Sequence, residues 1–229
     1  MKNRRVYRLV LLAAAIFSLS LPVLADVSPG QQASDAVRVM GEIMATPDKS
    51  IPTDLLREAR AVAVIPDVLK VGLIFGGRRG EGLISVKQAD GSWSYPSYVV
   101  IAGGSFGLQI GVSKTDLVLV FRTQRGVDSL VSGKFTIGAD ASAAAGPVGR
   151  SAGAATDGGL NAEIYSYSRA RGLFAGIALD GAVLKPDYAA NAAIYGEGVT
   201  PRRIFEGGVG QVPAAVTEFR DRLKAYTQP

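Results

Sequence analysis

The first largely apolar stretch of the chain runs from residue 9 to about 21, interrupted only by Ser18 and Ser20, and Pro22 ends it. That run is short for a helix that crosses a bilayer. Apolar residues then return at helical spacing over 32–45. Ala33, Val37, Met40 and Met44 make the stripe, with Val39 and Ile43 widening it. Thr46, Pro47 and Asp48 stop this helix. Thr53 is placed to cap a second, short helix over 54–60 that turns Leu55, Leu56 and Ala59 inward.

After residue 61 the texture becomes strands and turns. Residues 62–65 are continuously apolar and Pro66 stops them; 69–75 reads as a strand, 76–80 (GGRRG) as a hairpin loop and 82–87 as the return strand. A turn at 88–91 leads to short strands over 92–95 and 99–102. Residues 105–112 alternate, with Phe106, Leu108, Ile110 and Val112 on one face. The run 117–121 is apolar on both faces, which predicts a central strand. A helical turn over 127–132 precedes a strand at 135–138, a small-residue stretch at 139–149 and a loop at 150–159. Strands over 163–169 and 173–184 form a second pair, the latter with Leu173, Ile177, Leu179 and Val183 sharing a face. Gly176, Ala178 and Ala182 on its other face predict a close neighbour. Helices over 188–195 and 213–226 finish the chain, the last burying Val216, Phe219, Leu223 and Tyr226. Helical ends around an antiparallel middle predict an α+β fold, with one strongly curved sheet or partial barrel in one domain.

Composition narrows the chemistry. The 229 residues include no Cys and no His, which removes disulfides, thiolate catalysis, Ser-His-Asp triads and Cys/His metal sites. The formal charge is +5, but Lys2, Arg4, Arg5 and Arg8 supply four of the 25 cations; the other 21 face 20 acids, a net of +1. The basic excess therefore belongs to the N-terminal segment and does not point to nucleic acid. Residues 1–25 are expected to be a cleaved secretory signal, with Val23 and Ala25 as the small residues before a cut at Asp26. The alternative is an uncleaved anchor; Arg4 and Arg5 echo a twin-arginine signal faintly. Asp26 stands where a lipidated Cys would have to be, so no acyl anchor is expected. Residues 26–50 are then a lead-in and helix, 51–229 the folded domain, and the location periplasmic or extracellular, peripheral to membrane.

The ordered strings IPTDLL (51–56), AVAVIP (61–66), KVG (70–72), GG (76–77), GSWSYP (91–96), GGSFGLQIG (103–111), TDLVLVF (115–121), AGPVGR (145–150), YSY (165–167), RGLFAG (171–176) and LDGA (179–182) carry a resemblance. Taken together, they resemble the SYLF family, also called Ysc84 or DUF500, over about 51–207, and its exported bacterial members in particular. The resemblance implies a non-enzymatic lipid-binding module. Eukaryotic members bind phosphoinositides and membranes, and fungal ones also bind actin. Actin is not an expected partner for an exported chain. An amphipathic N-terminal helix is thought to serve the eukaryotic members, but 32–45 offers only Arg38 against Asp35 and Glu42.

Headgroup binding calls for clustered cations near apolar surface. The candidates are Lys70 with Arg78 and Arg79, Arg122 with Arg125, Arg169 with Arg171, and Arg202 with Arg203. Each cluster also fits a solvated loop or a surface ion pair. Arg78 and Arg79 lead because flanking glycines would let a loop backbone approach a phosphate while Arg binds it bidentately. Tyr165 and Tyr167 share a strand face and either line a pocket or pack in the core. Asp180, among small residues, must be paired if it is buried. The glycines at 76–82 lack the Gly-Lys-Ser/Thr ending of a phosphate loop, and the acids have no metal-loop spacing, so no catalytic residue, metal or cofactor is expected. The competing readings are a ligand-free interaction domain of the cell envelope and, last, a Ser or carboxylate hydrolase.

Overall fold

The computed structural model describes residues 27–45, 50–72, 75–106, 111–148, 161–170 and 173–228. The expected signal segment, the helix stop at 46–48, the centre of the 105–112 strand and the 150–159 loop lie outside those residues. Two helices lead in: α1 (Pro29–Met44) and α2 (Thr53–Glu58). α1 starts three residues earlier than the stripe predicts, because Ser28 caps Gln31 N–H at 3.3 Å and Pro29 occupies the first turn. Thr53 does not cap α2; it lies inside it, after Pro52.

Four long strands follow: β1 (Ala61–Gly72), β2 (Phe75–Val86), β3 (Ser97–Phe106) and β4 (Gly111–Phe121). Then come α3 (Gln124–Val131), β5 (Phe135–Thr136), β6 (Ala143–Ala145), β7 (Ile164–Ala170), β8 (Leu173–Gly176) and β9 (Val183–Pro186). α4 (Tyr188–Tyr195), α5 (Pro201–Phe205) and α6 (Ala214–Thr227) close the chain. The sheet runs β5-β9-β3-β2-β1-β4-β7-β6, with β8 on β7, and curls into an open half-barrel. All pairs are antiparallel except β6 with β7.

Both faces of the sheet are covered, which is why β1 and β4 carry continuous apolar runs. Val62, Val64, Leu83, Tyr98, Val118, Val120 and Tyr167 pack against α1, α2 and α6. Ala61, Ala63, Ile65, Ile84, Leu117, Leu119 and Phe121 pack on the other side with α3, α5, Phe135 and Ile137. The C-terminal helix buries Val216, Phe219 and Leu223 as expected, while Tyr226 is only half-buried.

Several boundaries differ from expectation, for physical reasons. Pro66 does not stop a strand: β1 continues through a bulge where its register against β4 skips from Ile65 to Val68. Asp67 takes the left-handed conformation there (φ 49°), and its freed N–H donates to Asp116 Oδ1 at 3.0 Å. Residues 76–80 are not a hairpin loop but the first part of β2, because Gly72 already pairs with Gly76. The expected 105–112 strand is divided: Ser105 ends β3 on β2, whereas Gly111 starts β4 on β1, two strands across the sheet. The expected 173–184 strand breaks after Gly176; β8 pairs with β7, and β9 crosses to β3 at the far side. Residues 92–95 make a single bridge, Lys87 with Trp93.

Candidate functional site

Strands β1 to β4 are longer than the helical layers that cover them. β4 is exposed over its first four residues and buried from Asp116 onward, and β1 shows the mirror pattern. The outer half of this sheet therefore projects from the core. In its register Leu69 lies opposite Arg79 and Lys114, Lys70 opposite Arg78 and Ser113, and Val71 opposite Gly77 and Val112. Directly opposed residues share a face and neighbours in sequence alternate. Leu69, Val71, Arg79, Val112 and Lys114 thus look toward the α1 side, and Lys70 and Arg78 look away from it. Val71 is 49% and Val112 70% exposed, so the projecting end carries an uncovered apolar pair among cations.

This geometry splits the leading candidate cluster. Arg78 and Arg79 are consecutive strand residues and point to opposite faces. Arg79 ion-pairs with Glu81 at 3.0 Å. Lys70 and Arg78 face each other directly and, among the described residues, neither has an ion-pair partner. Burial lowers the Arg78 guanidinium pKa from its ordinary value, and Arg78 Nε is buried with no hydrogen-bond partner among the described residues. Like charges opposed across a strand pair repel, so an external anion would be favoured between them.

The other cations are elsewhere. Arg122 pairs with Glu58 at 3.2 Å and Arg125 with Glu163, so both serve the fold beside α3. Glu163 also accepts from Ser142 N–H at 2.9 Å; this bond, with Arg125 and Thr123, holds its carboxyl below the usual range against the opposing effect of burial. Arg169 bridges Asp116 and Glu42, tying β7 to β4 and α1. Arg202 and Arg203 lie on α5; Arg203 Nε donates to Gly208 O at 2.8 Å and Arg202 borders a shallow cavity of about 290 Å³ on the far side of the fold. Arg171 lies outside the described residues.

The tyrosines belong to the core. Tyr167 is fully buried, stacks on Phe174 with ring centroids 5.3 Å apart and donates to Pro147 O at 3.2 Å. Burial drives its phenol pKa upward. Tyr165 is 3% exposed, and its hydroxyl accepts from Ala162 N–H at 3.2 Å. Both side chains thus pack in the core, and neither borders the 290 Å³ cavity or the 380 Å³ groove. Asp180 is exposed, not buried: with Gly181 (φ 77°) it makes a turn whose Gly181 N–H donates to Ile137 O. The close neighbours predicted for the small residues are Gly146, on Gly176, and Gly103, on Ala182; Ala178 is exposed.

A groove that no sequence pattern announces lies between the N-terminal turn of α1 and the projecting sheet. It measures about 380 Å³, with Leu69, Arg79, Glu81 and Lys114 as floor and Val27, Gln32 and Asp35 as wall. Tyr98 holds α1 over it by donating to Pro29 O at 2.8 Å. Gln32 sits in an otherwise apolar helix stripe, and its polarity there was the available signal.

Comparison with known proteins gives a consistent result. The family model Ysc84, described as "Las17-binding protein actin regulator", matches residues 102–226. Saccharomyces cerevisiae "LAS seventeen-binding protein 3" is 39% identical over 177 residues, which is 76% of this chain and 38% of that protein. "Protein YSC84" of Saccharomyces cerevisiae is 40% identical over 172 residues, 73% of this chain and 36% of its own. Human "SH3 domain-containing YSC84-like protein 1" is 30% identical over 204 residues, 88% of this chain and 59% of that protein. The chain thus spans from about two fifths to three fifths of the length of these relatives.

Proposed function

The chain belongs to the Ysc84 (SYLF) family, and from that premise we propose that it is a binding module that attaches reversibly to anionic phospholipid surfaces through the projecting end of its sheet. The observation that carries this reading is the Lys70–Arg78 pair, two opposed cations with no ion-pair partner among the described residues, at the same projecting sheet end whose other face exposes Val71 and Val112. Cations near an anionic membrane contribute about 1 kcal/mol each, and exposed valines add apolar contact at the headgroup boundary. With a net charge of only +1 outside residues 1–25, bulk attraction is small and the local cluster must act. We further propose that the chain works outside the cytoplasm after a cut before Asp26; N-terminal sequencing of protein from the envelope fraction should read Asp26 first.

Co-sedimentation with vesicles tests the membrane reading. The chain should pellet with vesicles containing phosphatidylglycerol or a phosphoinositide and stay in solution with pure phosphatidylcholine. Absence from every anionic pellet at low salt would overturn it. The yeast relatives' names favour a second reading, docking of a protein partner. Under that reading the vesicles would be ignored and a protein would be retained by the same sheet end.

A further inference from the structure

We infer that the projecting sheet meets the bilayer end-on: strands β1 to β4 stand along the membrane normal, with Val71 and Val112 at the acyl boundary and Lys70 and Arg78 at the phosphates. This deepens the membrane reading above and rests on it. The register decides the orientation. Val71 lies opposite Val112 on the α1 side, and Lys70 lies opposite Arg78 on the other side. A bilayer lying flat against either face would reach the valines or the cations, never both. It reaches both only across the open end, where the valine pair stands one residue, about 3.3 Å, beyond Lys70.

Each face is also flanked by chain. On the α1 side, Val27, Gln32 and Asp35 wall the groove, and the helix they lead into is about 10 Å thick, which holds a flat bilayer off the valines. On the other side the Ala182 backbone presses on Gly103, the residue opposite Arg78. Charge favours the same approach. Residues 68–80 and 101–115 hold Lys70, Arg78, Arg79 and Lys114 and no Asp or Glu. Arg79 and Lys114 reach inward to Glu81 and Asp67, which leaves Lys70 and Arg78 without an acid among the described residues. An anionic surface thus meets no carboxylate at this end, and the long Lys and Arg side chains extend back to the phosphates while the valines go deeper. The joins at 73–74 and 107–110, LI and GLQI in sequence, lie outside the described residues and add no charge.

The chain has no Cys, so single spin labels report one position each. Val112→Cys, Ser113→Cys and Lys114→Cys, each carrying a nitroxide, step along an exposed strand whose side chains alternate between the two faces. The vesicles are equal parts phosphatidylcholine and phosphatidylglycerol, and depth is read from collisions with oxygen against a water-soluble nickel chelate. Depth should fall steadily from 112 to 114, by about 3 Å per residue. A label at Tyr188→Cys, exposed on α4 near the inner end of β3, should stay in water. Thermal melts confirm that each variant is folded. Bound protein whose depth alternates, with 112 and 114 in lipid and 113 in water or the reverse, lies flat and overturns the inference. Bound protein with all three labels in water overturns it as well, and both outcomes leave the membrane reading standing. Val71→Ser combined with Val112→Ser should weaken binding about tenfold and keep its salt dependence, whereas Lys70→Ala with Arg78→Ala should flatten that dependence. Unchanged binding by the serine pair removes the acyl contact and overturns the inference. If the wild-type chain pellets with no anionic vesicle, the membrane reading and this orientation fall together.

Discussion

Gly146 lies flat against the ring of Tyr167, so close that a Cβ at 146 would overlap the ring atoms. The ring cannot retreat. It stacks on Phe174 with an interplanar angle of 4° and its hydroxyl is held by Pro147 O. Gly146→Ala should therefore cost about 1–3 kcal/mol or more, as overpacking does in a filled core. A urea titration checks this; an unchanged midpoint would refute the packing. Gly104→Ala, where none of the described residues approaches within 4 Å, is the matched control.

Asn191 supplies a second structural test. Its Oδ1 accepts from Tyr98 N–H at 2.9 Å, while its Nδ2 donates to Tyr98 O at 3.0 Å and Asp187 O at 2.8 Å. The amide thus completes the backbone pairing of β3 just where β9 stops. Asn191→Ala orphans the buried Tyr98 N–H, at a cost of about 1–3 kcal/mol, while Tyr98 O and Asp187 O keep the backbone N–H groups of Asp187 and Asn191. Asn191→Asp should be worse at neutral pH, because a carboxylate would face two carbonyl oxygens. Chemical denaturation of the two variants ranks them; a more stable Asp variant contradicts the assignment.

These contacts show how far the residues spoke for themselves. The apolar runs in β1 and β4 and the stripe of α6 were legible because each reports burial, and burial follows from side-chain type. Strand partners were not. The 105–112 alternation is sound locally, yet nothing in it says that Phe106 belongs to a strand paired with β2 and Gly111 to a different strand paired with β1. The glycines around Arg78 and Arg79 suggested a loop, whereas Gly80 and Gly82 are small because Val68 and the Val64–Ile65 backbone press on them. Once that segment is a strand, its period of two parts the arginines. The groove at Gln32 was hidden for a related reason: its floor comes from three strands whose order appears only in the folded sheet.

Acid stability should depend on Glu163. Folding lowers its pKa, chiefly through the Ser142 N–H. A depressed carboxyl contributes stability that is present above the unfolded value and is lost as pH falls through the folded value. Glu163→Gln removes that contribution, so the variant should be less stable than wild type at neutral pH. The two should converge as pH drops below the usual carboxylate range. Denaturant midpoints measured from neutral pH to about pH 3 give the two curves. Parallel curves would assign the acid limb to other carboxylates.

Deleting 214–229 strips Val216, Phe219 and Leu223 from the core and removes the Thr227 Oγ1 that accepts from Trp93 Nε1 at 2.9 Å. Each large side chain contributes roughly 1.5–3 kcal/mol by burial, so the truncated chain should lose several kcal/mol and expose Trp93. The single change Phe219→Ala should cost about 3–5 kcal/mol, and it leaves the helix in place. Melting curves with tryptophan emission as a second probe follow both effects. A truncation that leaves the melt unchanged would remove α6 from the core.

The split of Arg78 from Arg79 makes the strongest functional prediction, because the two neighbours should behave differently. Arg79 is already neutralised by Glu81, so Arg79→Ala should change anionic-vesicle binding by less than about twofold, as expected for an exposed ion pair. Lys70 and Arg78 oppose each other with no acid between them among the described residues. Replacing both with Ala removes about 2 kcal/mol at a membrane surface, a factor of about 30 in affinity. The loss should shrink in high salt, where screening shortens to about 3 Å at 1 M. The same double change also relieves repulsion within the free protein, so its melting temperature should hold or rise while binding falls. That opposite movement marks a ligand site, since a purely structural pair would lose stability when removed. Equal loss from Arg79→Ala and from the double variant would show that both faces of the sheet end touch the membrane alike, and would reject Lys70 and Arg78 as the site.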